Sequence, residues 1–291
     1  MKIILSILVL LVAVSCSNKN EKELVFVTIP PQKFFVEKIA GDNLDVNVMV
    51  QNGSAEEFFE PLPGQLIALS KSRLYFTTGF PIEKHLIDKF KSLNGKTEFV
   101  NTTNGIKLIN MPDAEDLFLQ QKKSSIHHSH KGMPDPHIWL NPLLVKIQAR
   151  NILSSLIKLQ PEDSAFFRTN YQNFCAELDS LHLFLEKTLA SKKGMSFMVF
   201  HPSWGYFAMQ YGLKQIPVEI EGKEPGLKEL SQIINYAKRN KVKTIFAQAQ
   251  FSTKSVEAIA KETNAKIILI DPLAEDYINN LKQTAILISE N

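Results

Sequence analysis

The histidines of the chain are concentrated in one short segment. Four of the seven histidines fall between residues 126 and 137, and three of them, His127, His128 and His130, lie in a polar stretch that also contains serine, lysine and glycine. Clustered imidazoles of this kind bind Zn²⁺, Ni²⁺ or Cu²⁺. Because such a stretch lacks a rigid surrounding shell, we expect an accessory loop that binds metal weakly and rapidly. The alternative is a solvated loop without function.

The fourth histidine of the segment, His137, has different surroundings. It lies in Asp135-Pro136-His137-Ile138-Trp139-Leu140-Asn141-Pro142, between two prolines and close to a large aromatic side chain. Proline fixes the backbone φ angle, so this imidazole is expected to be held in one place. A fixed imidazole is a good ligand for a transition metal.

The elements that must position such a ligand follow an alternating pattern. Apolar runs of four to eight residues alternate with helical patterns, and the alternation resumes after Gly194, which is typical of βαβ units and mainly parallel sheets. We therefore predict an α/β protein of two lobes, each a mainly parallel sheet flanked by helices. The predicted strands are 24–29, 46–50, 74–77 and 98–100 in the first lobe and 197–200, 213–220, 244–247 and 266–270 in the second; the predicted helices are 32–40, 64–71, 81–91, 227–240 and 253–263.

One long helix is predicted between the lobes, starting at Pro161. Apolar residues recur at spacings of three and four along it, forming one continuous stripe: Phe167, Tyr171, Phe174, Leu178, Leu181 and Leu185. A helix of about 28 residues is roughly 40 Å long, enough to lie along both lobes. We favour a backbone helix that joins them over an ordinary core helix.

The N-terminus has the features of an export signal. Lys2 precedes an unbroken apolar stretch that ends at Ser15-Cys16, and this stretch is too short to span a bilayer. The sequence around Cys16 looks like a lipobox, which predicts lipidation of Cys16 and a membrane anchor; a plain membrane anchor or a cleaved signal with an incidental cysteine are the alternatives.

The predicted organisation is a signal peptide at 1–15, a tether at 16–23, an N-terminal metal-binding lobe at 24–145 with a histidine-rich loop at 124–133, a helical connection at 146–192, and a C-terminal metal-binding lobe at 193–291.

Composition limits the remaining possibilities. The chain is 44% hydrophobic and 22% charged, with a formal net charge of +3, which is ordinary for a globular protein and does not support nucleic-acid binding. Of its two cysteines, only Cys175 remains if Cys16 is lipidated, so no intrachain disulfide is expected. We expect a monomer.

Several separated segments resemble the motif set of one family. They are 52–63 (NGSAEEFFEPLP), 135–142 (DPHIWLNP), 200–207 (FHPSWGYF), 221–225 (EGKEP), 250–254 (QFSTK) and 270–277 (IDPLAEDY). The likeness keeps its order from about Leu24 to the C-terminus. The chain thus resembles the cluster A-I solute-binding proteins, the ZnuA/TroA-like family that serves zinc and manganese ABC transporters.

This resemblance implies a ligand set of four residues. Carried over by position, the ligands are Glu57, His137, His201 and Asp271. Zinc binders of the family usually have a histidine where this chain has Glu57, and a shift of one residue would make Glu56 the ligand instead. Two neutral imidazoles and two carboxylates would reduce the net charge of a divalent ion to zero, which makes its burial between the lobes tolerable.

The function implied is capture of a divalent metal outside the cytoplasm. The protein would be lipid-anchored on the periplasmic side or at the cell surface and would deliver Zn²⁺ to the permease and ATPase of an ABC importer. Two carboxylates suit Mn²⁺ as well, so a manganese-specific protein is the alternative. A metal-dependent hydrolase is a lesser alternative, because four protein ligands leave no open position for water. Binding of a siderophore or haem would not require this ligand set, and adhesion as a second role stays open.

Overall fold

The computed structural model describes residues 22–51, 53–54, 59–92, 96–111, 134–220 and 222–291. The predictions for Cys16, Glu56, Glu57 and the three loop histidines (His127, His128 and His130) lie outside these residues and stay predictions. Within the described ranges, no helix combines the length and the apolar character needed to cross a membrane.

The N-terminal lobe is built on a sheet of four parallel strands. The elements of this lobe are β1 (Glu23–Val27), α1 (Pro30–Ala40), β2 (Leu44–Val48), α2 (Pro63–Ser70), β3 (Leu74–Thr77), α3 (Pro81–Ser92) and β4 (Glu98–Asn101). The strand order in the sheet is β2-β1-β3-β4. Val25 of β1 lies opposite Val46 on one side and Leu74 on the other, and it is fully buried.

The C-terminal lobe repeats this arrangement with a second sheet of four parallel strands. Its elements, numbered after the two connecting helices described below, are β5 (Ser196–Val199), α6 (Gly205–Tyr211), β6 (Lys214–Pro217), α7 (Leu227–Arg239), β7 (Thr244–Ala247), α8 (Lys254–Thr263), β8 (Lys266–Leu269) and α9 (Tyr277–Glu290). The strand order in this sheet is β6-β5-β7-β8. Because the strands of each sheet are all parallel, the loops that follow their carboxyl ends gather at one edge of that sheet.

Two helices connect the lobes, α4 (Pro142–Leu159) and α5 (Ser164–Leu189). The 26 residues of α5 pack against α4, against α1 of the first lobe and against α9 of the second. Its predicted stripe faces inward, with only Tyr171 partly exposed. The predicted fold class and the joining helix are confirmed.

Aromatic side chains hold α1, α5 and α9 together. Phe35 of α1 lies edge-on to Tyr277 of α9 at 5.0 Å between ring centroids and contacts Phe174 of α5 at 5.9 Å. One hydrophobic core therefore includes side chains of both lobes and of the connecting helix. An ion pair between Lys33 and Glu275, 2.8 Å apart, adds a polar contact between the lobes.

Some elements begin or end away from their predicted positions. Helix α1 begins at Pro30, although the two prolines were expected to end the preceding strand and lie outside the helix; proline suits the first helical turn because its missing N–H has no partner there. Helices α6 and α9 were not predicted. The domain boundaries given above stay a prediction.

Candidate metal centre

His137 is held in place by its own loop. It precedes a 3₁₀ turn, Ile138–Leu140, and helix α4 begins directly after that turn, where the Asn141 side chain caps the helix by accepting a hydrogen bond from Leu143 N. The carboxylate Oδ1 of Asp135 accepts hydrogen bonds from both the backbone N of His137, at 2.9 Å, and its ring Nδ1, at 2.7 Å. The imidazole is fully buried and is therefore fixed in both position and rotation.

The second lobe reaches across to support Asp135. The hydroxyl of Tyr206 donates a hydrogen bond to the Asp135 carbonyl oxygen at 3.0 Å, and burial raises the pKa of Tyr206 to about 12, so the hydroxyl keeps its proton at neutral pH. A Cβ atom on Gly205 would lie 2.6 Å from Asp135 Oδ2. Glycine at 205 thus allows this buried carboxylate to approach the start of α6.

His201 is held by several elements of the second lobe. It lies two residues after β5, and its Nδ1 lies 2.9 Å from Glu219 Oε1, which follows β6. The side-chain amide of Gln248, directly after β7, accepts a hydrogen bond from His201 N at 3.1 Å and donates one to His201 O at 2.7 Å. Phe251 stacks on the ring, with 4.8 Å between centroids and 23° between planes. This imidazole is also fully buried.

The two imidazoles meet between the lobes. Nε2 of His137 lies 3.3 Å from Nε2 of His201. Because an ionised carboxylate can only accept a hydrogen bond, the carboxylates behind both rings favour a proton on each Nδ1 and leave the lone pairs on the two Nε2 atoms. Two nitrogens that each lie about 2.0–2.1 Å from a tetrahedral zinc ion are about 3.3 Å apart. The observed separation fits one shared metal ion.

The charge around the pair also fits a cation. Asp135 is fully buried and Glu219 is 4% exposed, and within the described part of the chain Asp135 Oδ2 and Glu219 Oε2 are buried without a hydrogen-bond partner. Buried carboxylates need a compensating charge or hydrogen bonds. A divalent ion bound to the imidazoles would supply that charge through the carboxylate–histidine–metal arrangement.

Asp271 lies on a neighbouring loop, two residues after β8. Its Oδ1 accepts hydrogen bonds from Gln250 Nε2 at 2.8 Å and from Leu273 N at 2.9 Å. The loop is tied to that of His137, since Trp139 Nε1 donates to Pro272 O at 2.7 Å. Of the predicted ligands, the structure brings His137 and His201 together; among the described residues no group of three histidine, cysteine or acidic side chains is arranged to hold a metal ion.

Sequence reasoning missed the residues behind the imidazoles. Asp135 lies in the motif at 135–142, but no role was predicted for it. No role was predicted for Glu219 or Gln248 either. Glu219 and Gln248 follow strands β6 and β7 by one or two residues, so the rule that places binding residues after parallel strands could have found them.

A further buried carboxyl lies in the first lobe, on helix α3. Glu83, 3% exposed, accepts hydrogen bonds from the Thr28 hydroxyl, Thr78 N and Gly79 N. Burial raises the pKa of Glu83 to about 7, and these hydrogen bonds oppose the rise. This carboxyl fixes the β3–α3 turn, from which Phe80 contacts the His137 ring edge-on at 6.1 Å.

Comparisons with known proteins give a consistent family. The model of the ZnuA family, the periplasmic component A of zinc-uptake complexes, matches residues 25–291. The high-affinity zinc uptake system protein ZnuA of Bacillus subtilis (strain 168) is 27% identical over 262 residues, covering 89% of this chain and 81% of the relative. The zinc-binding lipoprotein AdcA of Streptococcus pneumoniae (strain ATCC BAA-255 / R6) is 25% identical over 93% of this chain, which spans 54% of that longer relative.

Solved structures agree with this match. A crystal structure of ZnuA superposes with a TM-score of 0.83 at 40% identity, covering 93% of this chain and 99% of that one. The periplasmic zinc-binding protein TroA of Treponema pallidum superposes with a TM-score of 0.77 at 19% identity, covering 93% of this chain and 99% of that one, and supports the fold alone.

Proposed function

Because the chain belongs to the ZnuA family of periplasmic zinc-uptake components, we propose that it binds one Zn²⁺ ion between its two lobes and delivers the ion to the permease and ATPase of an ABC importer. Members of this family are transport components and not enzymes. The observation that carries the proposal is the 3.3 Å separation of His137 Nε2 and His201 Nε2, one from each lobe, with a carboxylate behind each ring.

We propose Glu57, His137, His201 and Asp271 as the ligands. The two imidazoles supply nitrogen donors, and Glu57 and Asp271 would supply oxygen donors from loops on the two lobes. The metal reduces the electrostatic cost of the buried Asp135 and Glu219, since their negative charge then faces a cation through each imidazole. Zinc binding at this pair should therefore also stabilise the folded lobes.

Zinc is the preferred ion in this proposal. Imidazole nitrogens and a tetrahedral spacing suit Zn²⁺, and affinities of mixed nitrogen and oxygen sites rise from Mn²⁺ towards Zn²⁺ along the divalent series. The relatives that match most of this chain are named for zinc uptake or zinc binding. Mn²⁺ is the competing ion, because two carboxylate donors suit it as well.

The location is proposed as outside the cytoplasm, with Cys16 lipidated and the chain anchored to the cell envelope. The support is the predicted signal peptide at 1–15, directly before Cys16, and a relative named as a lipoprotein. His127, His128 and His130 are proposed as an accessory loop that captures metal before transfer to the buried pair.

Metal analysis of the purified mature protein tests the proposal. Chelated and dialysed protein should take up one Zn²⁺ per chain, and its melting temperature should rise with added Zn²⁺, since a ligand that binds only the folded state stabilises it by RT ln(1 + [L]/Kd). Absence of stoichiometric zinc together with an unchanged melting temperature would show that the proposal is wrong.

The assignment of Glu57 as a metal ligand has a separate test. Glu57→Ala should weaken zinc binding far more than the neighbouring Glu56→Ala, which serves as the matched control. The opposite order would assign the ligand to Glu56.

A further inference from the structure

We propose that Gln250 holds Asp271 as a ligand that binds metal through a single oxygen, and that it thereby determines the preference for Zn²⁺ over Mn²⁺. This inference rests on the proposed function, because it requires Asp271 to be a ligand. It concerns which ion the site selects and not whether it binds one.

The two hydrogen bonds that the described residues make to the Asp271 carboxylate end on the same oxygen. Gln250 Nε2 donates to Oδ1 at 2.8 Å and Leu273 N donates to Oδ1 at 2.9 Å. The Gln250 amide has one workable orientation, since turning it over would put its oxygen against the carboxylate. With two donors already on Oδ1, the oxygen that can accept a metal ion without losing a hydrogen bond is Oδ2.

The segment that carries Gln250 is itself well fixed. Gln248 makes two hydrogen bonds to the backbone of His201, Phe251 N donates to Gln248 O at 3.2 Å, and the Phe251 ring stacks on the His201 ring. Residues 248–251, which we call the clamp loop, thus contact one ligand through Gln248 and Phe251 and another through Gln250. Positioning of two ligands by one loop makes their relative geometry hard to change.

The number of oxygen atoms offered decides between the two ions. Zn²⁺ is satisfied by four donors, with one carboxylate oxygen at about 2.0–2.2 Å. Mn²⁺ favours six-coordinate sites made of oxygen ligands, so its binding affinity increases when a carboxylate binds through both oxygens. At Asp271 that second oxygen is occupied by Gln250 and Leu273, and manganese would have to displace hydrogen bonds that zinc leaves intact.

The test is a competition titration of Zn²⁺ against Mn²⁺ on the full mature apo protein, comparing wild type with Gln250→Met. Methionine keeps the length of the side chain and removes its donor. The ratio of the manganese to the zinc dissociation constant should fall at least about tenfold, the size expected for one hydrogen bond to a charged group. Gln250→Ala gives the same comparison if the methionine variant does not fold.

A control in the same loop separates selectivity from general damage. Gln248→Met loses the contacts to the His201 backbone, so it should weaken both ions by similar factors and leave the ratio unchanged. A fall in the ratio in Gln248→Met as large as in Gln250→Met would overturn the assignment to Gln250.

Co²⁺ in place of Zn²⁺ gives a readout of coordination number. Wild type should show the intense visible bands of four-coordinate cobalt, and Gln250→Met should show weaker bands as the second oxygen joins. Unchanged ratio and unchanged cobalt bands in the Gln250 variants, with one zinc still bound to wild type, would overturn this inference and leave the proposed function standing. Failure of wild type to bind zinc at all would instead overturn the proposed function.

Discussion

The two lobes support their histidines in different ways. His137 in the first lobe is oriented by one carboxylate oxygen two residues away in its own loop. His201 in the second lobe is oriented by Glu219, Gln248 and Phe251, which follow two other strands. The carboxylate that orients His137 is local in sequence, although Tyr206 of the second lobe also holds its backbone. The support of His201 requires the sheet to be assembled.

The two arrangements still produce the same chemistry. Each places a carboxylate at Nδ1 and directs Nε2 towards the opposite lobe. The requirement is therefore for a fixed tautomer and a fixed ring, and either a local turn or a set of strand ends can meet it. We expect the local arrangement to be sensitive to changes in one loop and the assembled one to be spread over several residues.

The largest expected effect comes from removing either imidazole. His137→Ala and His201→Ala should each abolish stoichiometric zinc binding, because each variant removes one of the two nitrogen donors of the site. Chelator-competition titration measures this, with His85→Ala, an exposed histidine of α3, as the control. Retention of tight zinc binding in either variant would show that the imidazole removed in it is not a ligand.

The next largest effect is expected from removing the carboxylate behind either imidazole, Asp135 or Glu219. Asp135→Ala and Glu219→Ala should each lower zinc affinity about 10–100-fold, the usual cost of losing the partner behind a metal-bound histidine. Asp135→Ala should cost more, since the same oxygen also holds the His137 backbone, whereas Gln248 and Phe251 still hold His201. A larger loss in Glu219→Ala would reverse the comparison between local and distributed support.

A smaller effect concerns the stability of the apo first lobe and its pH dependence. The pKa of Glu83 is raised from 4.5 to about 7 in the fold, so the folded state binds this proton more tightly than the unfolded state. Its contribution to the free energy of unfolding is present below about pH 4.5 and is lost as pH rises through about 7, a change of at most about 3 kcal/mol.

Urea unfolding at about pH 5 and about pH 8 measures that contribution. Wild type should lose more stability between the two pH values than Glu83→Gln, whose amide does not titrate. An equal loss in both proteins would mean that Glu83 is ionised in the fold throughout this range.

The smallest expected effect tests whether the loop before His137 matters to its position. Deleting residues 126–131 should leave one tightly bound zinc ion, since Asp135 and the turn at Ile138–Leu140 stay in place, and it should lower metal acquisition only when metal is scarce. Loss of stoichiometric binding in the deletion would make a loop histidine a true ligand.

The contrast between local support of His137 and distributed support of His201 also explains what the sequence could predict. The alternation of strands and helices and the stripe on α5 are local patterns, and they led to the two parallel sheets and the joining helix. His137 was recognised because its Asp-Pro-His motif is contiguous. Glu219 lies 18 residues from His201 and Gln248 lies 47 residues from it, so their contacts depend on strand order, which no local pattern specifies. The roles of Gly205 and Gln250 depend on side-chain contacts that only the assembled lobes create.

The central claim is that one zinc ion lies between the imidazoles of the two lobes. Zinc-edge X-ray absorption of the loaded mature protein tests it most directly, because it counts imidazole shells and measures their distances. We predict one zinc per chain with two imidazole nitrogens at about 2.0–2.1 Å and oxygen donors completing a four-coordinate site. A spectrum with no imidazole nitrogen, or with three or four of them, would contradict the account.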